Sequence, residues 1–191
     1  MRRSRFEAAR TRREIVAAAS RLFRAQGIGT VSIANITGSL GLTDGGFYRH
    51  FSSKEALVVE ALEAASLETA GANMERLRQL NGRERAAALI DTYLSDVHRA
   101  NPQMGCPVSA LCSDMRHESA KTRAAFTVAL QRLVTVMDSV LPPSVEERRS
   151  VVLRSVAEFV GAVVLSRATD DDSLAAEILE AVRSDAKNTL A

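Results

Sequence analysis

The chain is short of the residues that staple small folds or assemble catalytic centres. Its 191 residues include two cysteines, Cys106 and Cys112, and three histidines. The cysteine spacing matches neither a disulfide framework, a zinc knuckle nor a CxxC redox pair. No apolar run approaches the roughly 20 residues that span a bilayer. The basic start, Met1 to Phe6, is followed by apolar residues broken by charges, which is not the pattern of a secretory leader. There is no glycine-rich phosphate loop, no recognisable carboxylate pair, no strand-like alternation and no internal repeat. Cys106 with His98 or His117 would be the nucleophile–base pairing to consider for an enzyme, but no motif supports it. Asp170-Asp171-Asp172 reads as a solvated linker and helix cap before it reads as a metal site. The expectation is a cytoplasmic protein with reduced thiols that is not an enzyme and needs no metal or cofactor.

What is present is core-forming material and an uneven charge. Hydrophobic residues make up 46% of the chain, too many for disorder. Residues 1–54 hold ten bases and three acids, net +7, and residues 55–191 hold fifteen bases and twenty acids, net −5. A basic head on an acidic body suits a polyanion bound at one end; a solvated basic tail is the plainer alternative.

Periodicity predicts helices throughout. Ile15, Ala19, Leu22 and Gln26 share one stripe, and Gly27 is a C-cap. Ser32 can cap a second helix carrying Ile33 and Ile36. Thr43 can open a third helix reaching about Arg49. Ser52 or Ser53 starts a fourth helix towards Leu80, broken by Asn81-Gly82. A fifth is expected from about Arg83 to His98, a turn over Asn101–Pro107, and a sixth helix around Val108–Ser113. Phe126, Leu130, Leu133, Met137 and Val140 mark a seventh, stopped by Pro142-Pro143. After Ser144, an eighth carries Val152, Val156, Phe159 and Val163, and a ninth carries Leu174, Ile178 and Val182. The fold class is all-α, with about nine helices.

The first 54 residues hold the sharper signal. Three helices, the last two joined by a turn around Gly41, form a helix-turn-helix pattern, although an ordinary αα corner has similar lengths. The third reads Thr43-Asp-Gly-Gly-Phe-Tyr-Arg-His50, and each glycine costs roughly 1 kcal/mol against alanine in a helix. Broken local propensity points to a functional or close-packed site, and glycine lets a backbone approach another surface such as a major groove. Thr43, Tyr48, Arg49, His50 and Lys54 supply the donors used to hold phosphates.

The run from Gly41 to Leu57, with Ile15–Phe23, Gln26-Gly27 and Val31–Ile36 upstream, resembles the signature of the TetR family of transcriptional regulators over about residues 10–62. Gly105-Cys-Pro-Val-Ser-Ala-Leu111 and the last helix pair are similar to a subgroup that shares the Gly-Gly-Phe-Tyr core. The resemblance implies a homodimeric, ligand-responsive regulator, a repressor released from a palindromic operator by a small-molecule effector. Residues 1–54 would form the DNA-binding domain and residues 55–191 the effector-binding and dimerisation domain. Asp44 and Gly45 would lie nearest the base edges, with Gly46 beside them. Thr43, Tyr48, His50, Lys54 and Ser32 would hold phosphates. Asp44 departs from the neutral or basic residue of many members; it either accepts from a cytosine amino group or simply caps the helix. Phe47 and Phe51 read as core.

The resemblance also implies a ligand pocket among the fourth to eighth helices and a dimer bundle formed by the eighth and ninth. Tyr93, Met104, Cys106, Phe126, Met137 and Phe159 are the candidate pocket residues, with plain core the alternative for each. Cys106, between Gly105 and Pro107, is either an electrophile- or oxidant-sensing thiol or a buried inert one. For the dimer the candidates are Val152, Val156, Phe159, Gly161, Ala162, Val163, Leu174, Ile178 and Val182, because the eighth helix is apolar on more than one face. A central helix buried within a monomer is the competing reading.

Overall fold

The computed structural model describes residues 5–142 and 145–190, and of Asp44 the backbone alone. Arg2, Arg3, Pro143, Ser144 and the Asp44 side chain therefore lie outside the described residues. Within them all regular structure is helical, as expected. The helices are α1 (Arg5–Gln26), α2 (Ile33–Ser39), α3 (Asp44–Phe47), α4 (Lys54–Leu77) and α5 (Gly82–Tyr93), then α6 (Asp96–Ala100), α7 (Pro107–Leu111), α8 (Ala120–Val140), α9 (Arg148–Ala168) and α10 (Asp172–Leu190). Short 3-10 turns occupy Pro102–Met104 and Asp114–His117.

Local chemistry sets the ends. Gly27 takes φ +83°, where an L side chain is strained, and its N–H closes onto Phe23 O at 2.8 Å. Ser32 and Asn35 form a reciprocal capping box for α2. Ser53 Oγ accepts from Ala56 N at 3.1 Å to open α4. Asp171 Oδ1 accepts from the Ser173 and Leu174 amides at 2.9 and 3.1 Å, so the aspartate run starts α10 as a cap.

Three helices differ from their expected extents. The expected fifth helix is two, α5 and α6. Ser95 Oγ donates to Thr92 O at 2.9 Å and accepts from His98 N at 3.0 Å, a local exchange that closes one helix and caps the next. The third helix has four residues, its continuation to His50 being a turn. The sixth gives way after Leu111 to the 3-10 turn at Asp114–His117.

Two hydrophobic clusters organise the chain. Ile15, Phe23, Ile36, Phe47 and Phe51 pack against Leu57 and Leu62 of α4 and against Leu111 and Met115 of the body. Leu89, Tyr93, Leu133, Met137, Val156, Phe159 and Leu179 form the second. Helix α4 serves both, through Leu57–Leu62 and then Leu77. A four-residue helix has no stability of its own; α3 is held by Phe47, fully buried and stacked on Phe51 at 5.5 Å. Burying such a side chain contributes about 1.5–3 kcal/mol.

Candidate DNA interface and candidate ligand cavity

The head presents a turn whose inside is fixed and whose outside is free. Phe47 anchors it, while Thr43, Gly45, Tyr48 and Arg49 are exposed. Tyr48 sits edge-on to Phe47 with ring centroids 5.2 Å apart, which aims its phenol outward from a rigid base. Thr43 Oγ1 accepts from Gly46 N at 3.3 Å, in the role of the expected cap. A Cβ on Gly45 would meet nothing within 4 Å, and one on Gly46 only Thr43 Oγ1 at 3.7 Å and Leu42 Cβ at 4.0 Å. Neither has a positive φ. The fold itself therefore does not require glycine at either position.

The remaining candidates are partly committed inside the chain. Ser32 is exposed, but its hydroxyl donates to Asn35 Oδ1 at 2.7 Å. Lys54 is half-buried, with Nζ donating to Ile28 O at 2.5 Å and lying 6.0 Å from the Phe23 ring centroid. Its first job is tying α4 to the turn after α1. His50 is half-buried at the end of the turn.

In the body, a cavity of about 450 Å³ opens between α4, α5, α6, the Asn101–Val108 segment and α8. Of the six candidate pocket residues, Tyr93, Met104 and Cys106 line it. Phe126, Met137 and Phe159 are not on its wall: Met137 and Phe159 are fully buried in the body core, and Phe126 packs against both clusters. A larger groove of about 620 Å³ between α1 and α4 is shallower and edged by charged side chains such as Arg13, Arg21, Glu60 and Glu63.

The cavity wall is tightly ordered around His98. Its Nδ1–H donates to Tyr93 O at 2.6 Å and its Nε2 accepts from Cys106 N–H at 3.0 Å. Those two bonds require a single neutral tautomer. Burial lowers the His98 pKa, and nearby Arg167 lowers it further against the opposing effect of the Tyr93 carbonyl. A Cβ on Gly105 would come within 2.5 Å of the His98 ring, so only glycine lets this segment pass. Tyr93 packs edge-on to His98 at 4.8 Å and against Phe159 at 5.7 Å. Burial, then the neighbouring Cys106, pushes its phenol well above the usual range. Cys106 is buried and stands directly before α7.

Sequence reasoning missed the residues that join cavity to head. Arg24, 3% exposed at the end of α1, donates to Gly105 O at 2.8 Å and pairs with Glu68 of α4 at 3.1 Å. Asp114 accepts from Ile28 N at 2.7 Å, clasping the turn after α1. These partners are 81 and 86 positions apart, and no local pattern announces such a meeting.

The expected dimer residues fall into two sets. Val152, Val156, Phe159, Ala162 and Val163 are between 0 and 5% exposed and face their own subunit. They cannot meet a partner without dismantling the core, which corrects that part of the expectation. The outward stripe of α9 is instead Leu153, Ala157, Val160, Gly161 and Val164, at i, i+4, i+7, i+8, i+11. Leu174 is exposed on α10, and Ile178 and Val182 are half-buried.

The chain thus joins a helix-turn-helix head with an exposed third-helix turn to a hollow helical body. Residues 15–61 match the family model for bacterial regulatory proteins, tetR family. Two proteins of Pseudomonas putida, the HTH-type transcriptional regulator TtgR and the probable HTH-type transcriptional regulator ArpR, are each 38% identical over 64 residues. That match covers 34% of this chain and 30% of either relative. Similarity of fold extends further. The reduced form of E. coli NemR superposes with a TM-score of 0.81 at 20% identity, covering 95% of this chain and 97% of that one. A TetR regulator from Legionella pneumophila gives 0.79 at 19% identity over 100% of both chains. A regulator from Saccharomonospora viridis solved with choline gives 0.76 at 17%, covering 95% and 98%. Residues 15–61 are thus similar to the tetR family model, and the chain as a whole shares the fold of these solved structures. The two Pseudomonas putida relatives and the Legionella pneumophila structure are named as transcriptional regulators. No described helix is long and apolar enough to cross a membrane.

Proposed function

We propose that this protein is a dimeric, cytoplasmic, ligand-responsive repressor that binds a palindromic operator through residues 1–54 and is released by a small molecule held in residues 55–191. The observation that carries the reading is the pair of hydrogen bonds from the cavity side to the head, Arg24 to Gly105 O and Ile28 N to Asp114. A ligand that moves the Gly105–Pro107 wall displaces the acceptor of the Arg24 hydrogen bond and thereby acts on the orientation of α1. Affinity for DNA then changes by a population shift, with no contact between ligand and DNA.

On the DNA side, Thr43, Tyr48 and His50 hold phosphates while Gly45 and Gly46 let the turn approach the bases. Ser32 and Lys54 are secondary, since each is already bonded within the head. One such turn reads few base pairs, so two copies must sit roughly 34–36 Å apart on one face of B-DNA. A second copy packing on the α9 stripe with Leu174, Ile178 and Val182 of α10 supplies that two-fold axis. Within the family, the Gly-Gly-Phe-Tyr and Gly-Cys-Pro motifs mark the subgroup to which we assign it.

Gel shifts against the DNA upstream of the protein's own coding region test the reading. Wild type is expected to give a discrete shifted complex. Tyr48→Phe, which removes one outward hydroxyl per subunit and no packing, should weaken specific and random DNA alike by at least about a hundredfold, since a hydrogen bond to a charged group is worth about 1.5 kcal/mol or more at each of two half-sites. Absence of a sequence-preferring complex at micromolar protein would overturn the proposal.

A further inference from the structure

Among the bases of the head, Arg12 is committed inside the chain. Arg10 and Arg13 beside it on α1 are exposed, but Arg12 is half-buried. It donates through Nη1 and Nη2 to both carboxylate oxygens of Glu60 on α4. The same guanidinium lies over the Phe51 ring, with Cζ 4.5 Å from the ring centroid. Phe51 in turn stacks on Phe47 at 5.5 Å, and Phe47 meets Tyr48 edge-on at 5.2 Å. One unbroken run of contacts therefore links the Glu60 carboxylate to the outward phenol of Tyr48.

Stability is not what this run supplies. The Arg12 and Glu60 side chains keep 41% and 33% of their surface exposed, and an ion pair so well hydrated adds little to the folding free energy. Its value is geometric. A planar guanidinium can hold a carboxylate through two N–H bonds while its face covers an aromatic ring; an ammonium is a point charge without that fork. The turn it braces needs outside support, because α3 has four residues and too few internal hydrogen bonds to fix its own pose. A cation bound to Glu60 and stacked on Phe51 is also no longer free to grip a phosphate.

We infer that Arg12 is a positioning residue for the turn that meets DNA: braced by Glu60, it fixes Phe51 and through it Phe47 and Tyr48, and so governs discrimination between DNA sequences without touching DNA. The inference rests on the proposed DNA-binding role of the head and adds a residue pair to it.

The two partners carry opposite charges, which allows a test that no simple charge effect imitates. Arg12→Met removes a cation and Glu60→Ala an anion. Acting on DNA through charge alone, the first would weaken and the second strengthen binding to every sequence, and each would shift the salt slope. As a brace they act in the same direction. In gel shifts of the full chain, normalised to folded protein, each variant should lose about tenfold for the upstream DNA, somewhat less than one mismatched base pair in each half-site costs. Random DNA should stay within about threefold, because its binding rests on phosphate contacts that neither variant removes. Arg12→Lys, which keeps the charge and loses the fork, should not restore the upstream complex. Should Arg12→Met fail to fold, Arg12→Lys and Glu60→Ala carry the same comparison. A second readout needs no DNA. The chain has two tyrosines and no tryptophan, so fluorine NMR of fluorotyrosine-labelled protein sees exposed Tyr48 and buried Tyr93 separately. The Tyr48 resonance should move in every folded variant while that of Tyr93 stays. Affinity changes of opposite sign, equal losses on upstream and random DNA, unchanged affinity throughout, or an unmoved Tyr48 resonance overturns the inference. If wild type itself forms no sequence-preferring complex, the regulator reading falls, and the fluorine spectra still decide whether Arg12 sets the pose of Tyr48.

Discussion

Gly45→Leu separates a glycine kept for the fold from one kept for a partner. Gly45 is exposed, its φ is not positive, and an added Cβ would meet nothing within 4 Å. Inside the chain the substitution therefore introduces neither strain nor overlap. Helix propensity favours leucine over glycine by up to roughly 0.8 kcal/mol, and less in a helix as short as α3. For a chain of this size 1 kcal/mol moves the melting temperature by about 2–4 °C, so the melt should stay put or rise by about 1–2 °C. DNA binding should behave in the opposite sense. A side chain projecting from the turn holds the backbone off the groove floor and costs about 1–3 kcal/mol at each half-site, as one mismatched base pair does. Across two half-sites the loss is at least about thirtyfold. Circular-dichroism melts and gel shifts normalised to folded protein read the two effects apart. A melt lowered by more than about 5 °C with unchanged affinity per folded molecule would refute the reasoning, because the glycine would then serve internal packing.

Three further outcomes are expected. Arg24→Leu leaves the Gly105 carbonyl and Glu68 without their partner; it should cost about 1–3 kcal/mol of stability. Both sites should still bind, but ligand should no longer change DNA affinity in gel shifts. Ala157→Glu, on the exposed face of α9, should leave a folded monomer in sedimentation, whereas Ala162→Glu, 3% exposed, should unfold the body; a dimeric Ala157→Glu protein would remove this face from the interface. His98 has a folded pKa below its usual 6.5, so the unfolded chain takes up a proton that the native chain refuses. Its contribution is therefore intact above about pH 6.5 and lost as pH falls, at up to about 1.4 kcal/mol per pH unit. Urea melts between pH 7.5 and 5.5 should show that slope, and His98→Gln should flatten it.

How much of this was legible beforehand follows from the range of each interaction. The ends of α1, α2 and α4 depend on contacts three or four positions apart, at Gly27, Ser32 and Ser53, and could be read from the sequence. So could the burial of Phe47 and Phe51 and the outward chemistry of Thr43 and Tyr48, because a dense motif left little choice. The split between α5 and α6 was legible in principle, since Ser95 is an ordinary N-cap three residues before His98, but the apolar pattern ran across it. The extent of α3 was not: Phe47 docks into the head's core, and the chain turns where that packing directs it.

For the body, the sequence by itself determined that α9 is apolar on more than one face, but not which face turns inward. Val152 and Leu153 are equally hydrophobic; only the positions of α8 and α10 bury the first and expose the second. The same holds for the cavity. Apolar composition marked Tyr93, Phe126, Met137 and Phe159 alike, and a cavity is where packing stops, a property of how helices meet rather than of any one of them. Arg24 and Asp114 find partners 81 and 86 positions away because the fold brings α1 against the α7 region. Periodicity and capping are local and were written in the chain; facing, hollowness and long-range pairing arise only when the helices close on one another.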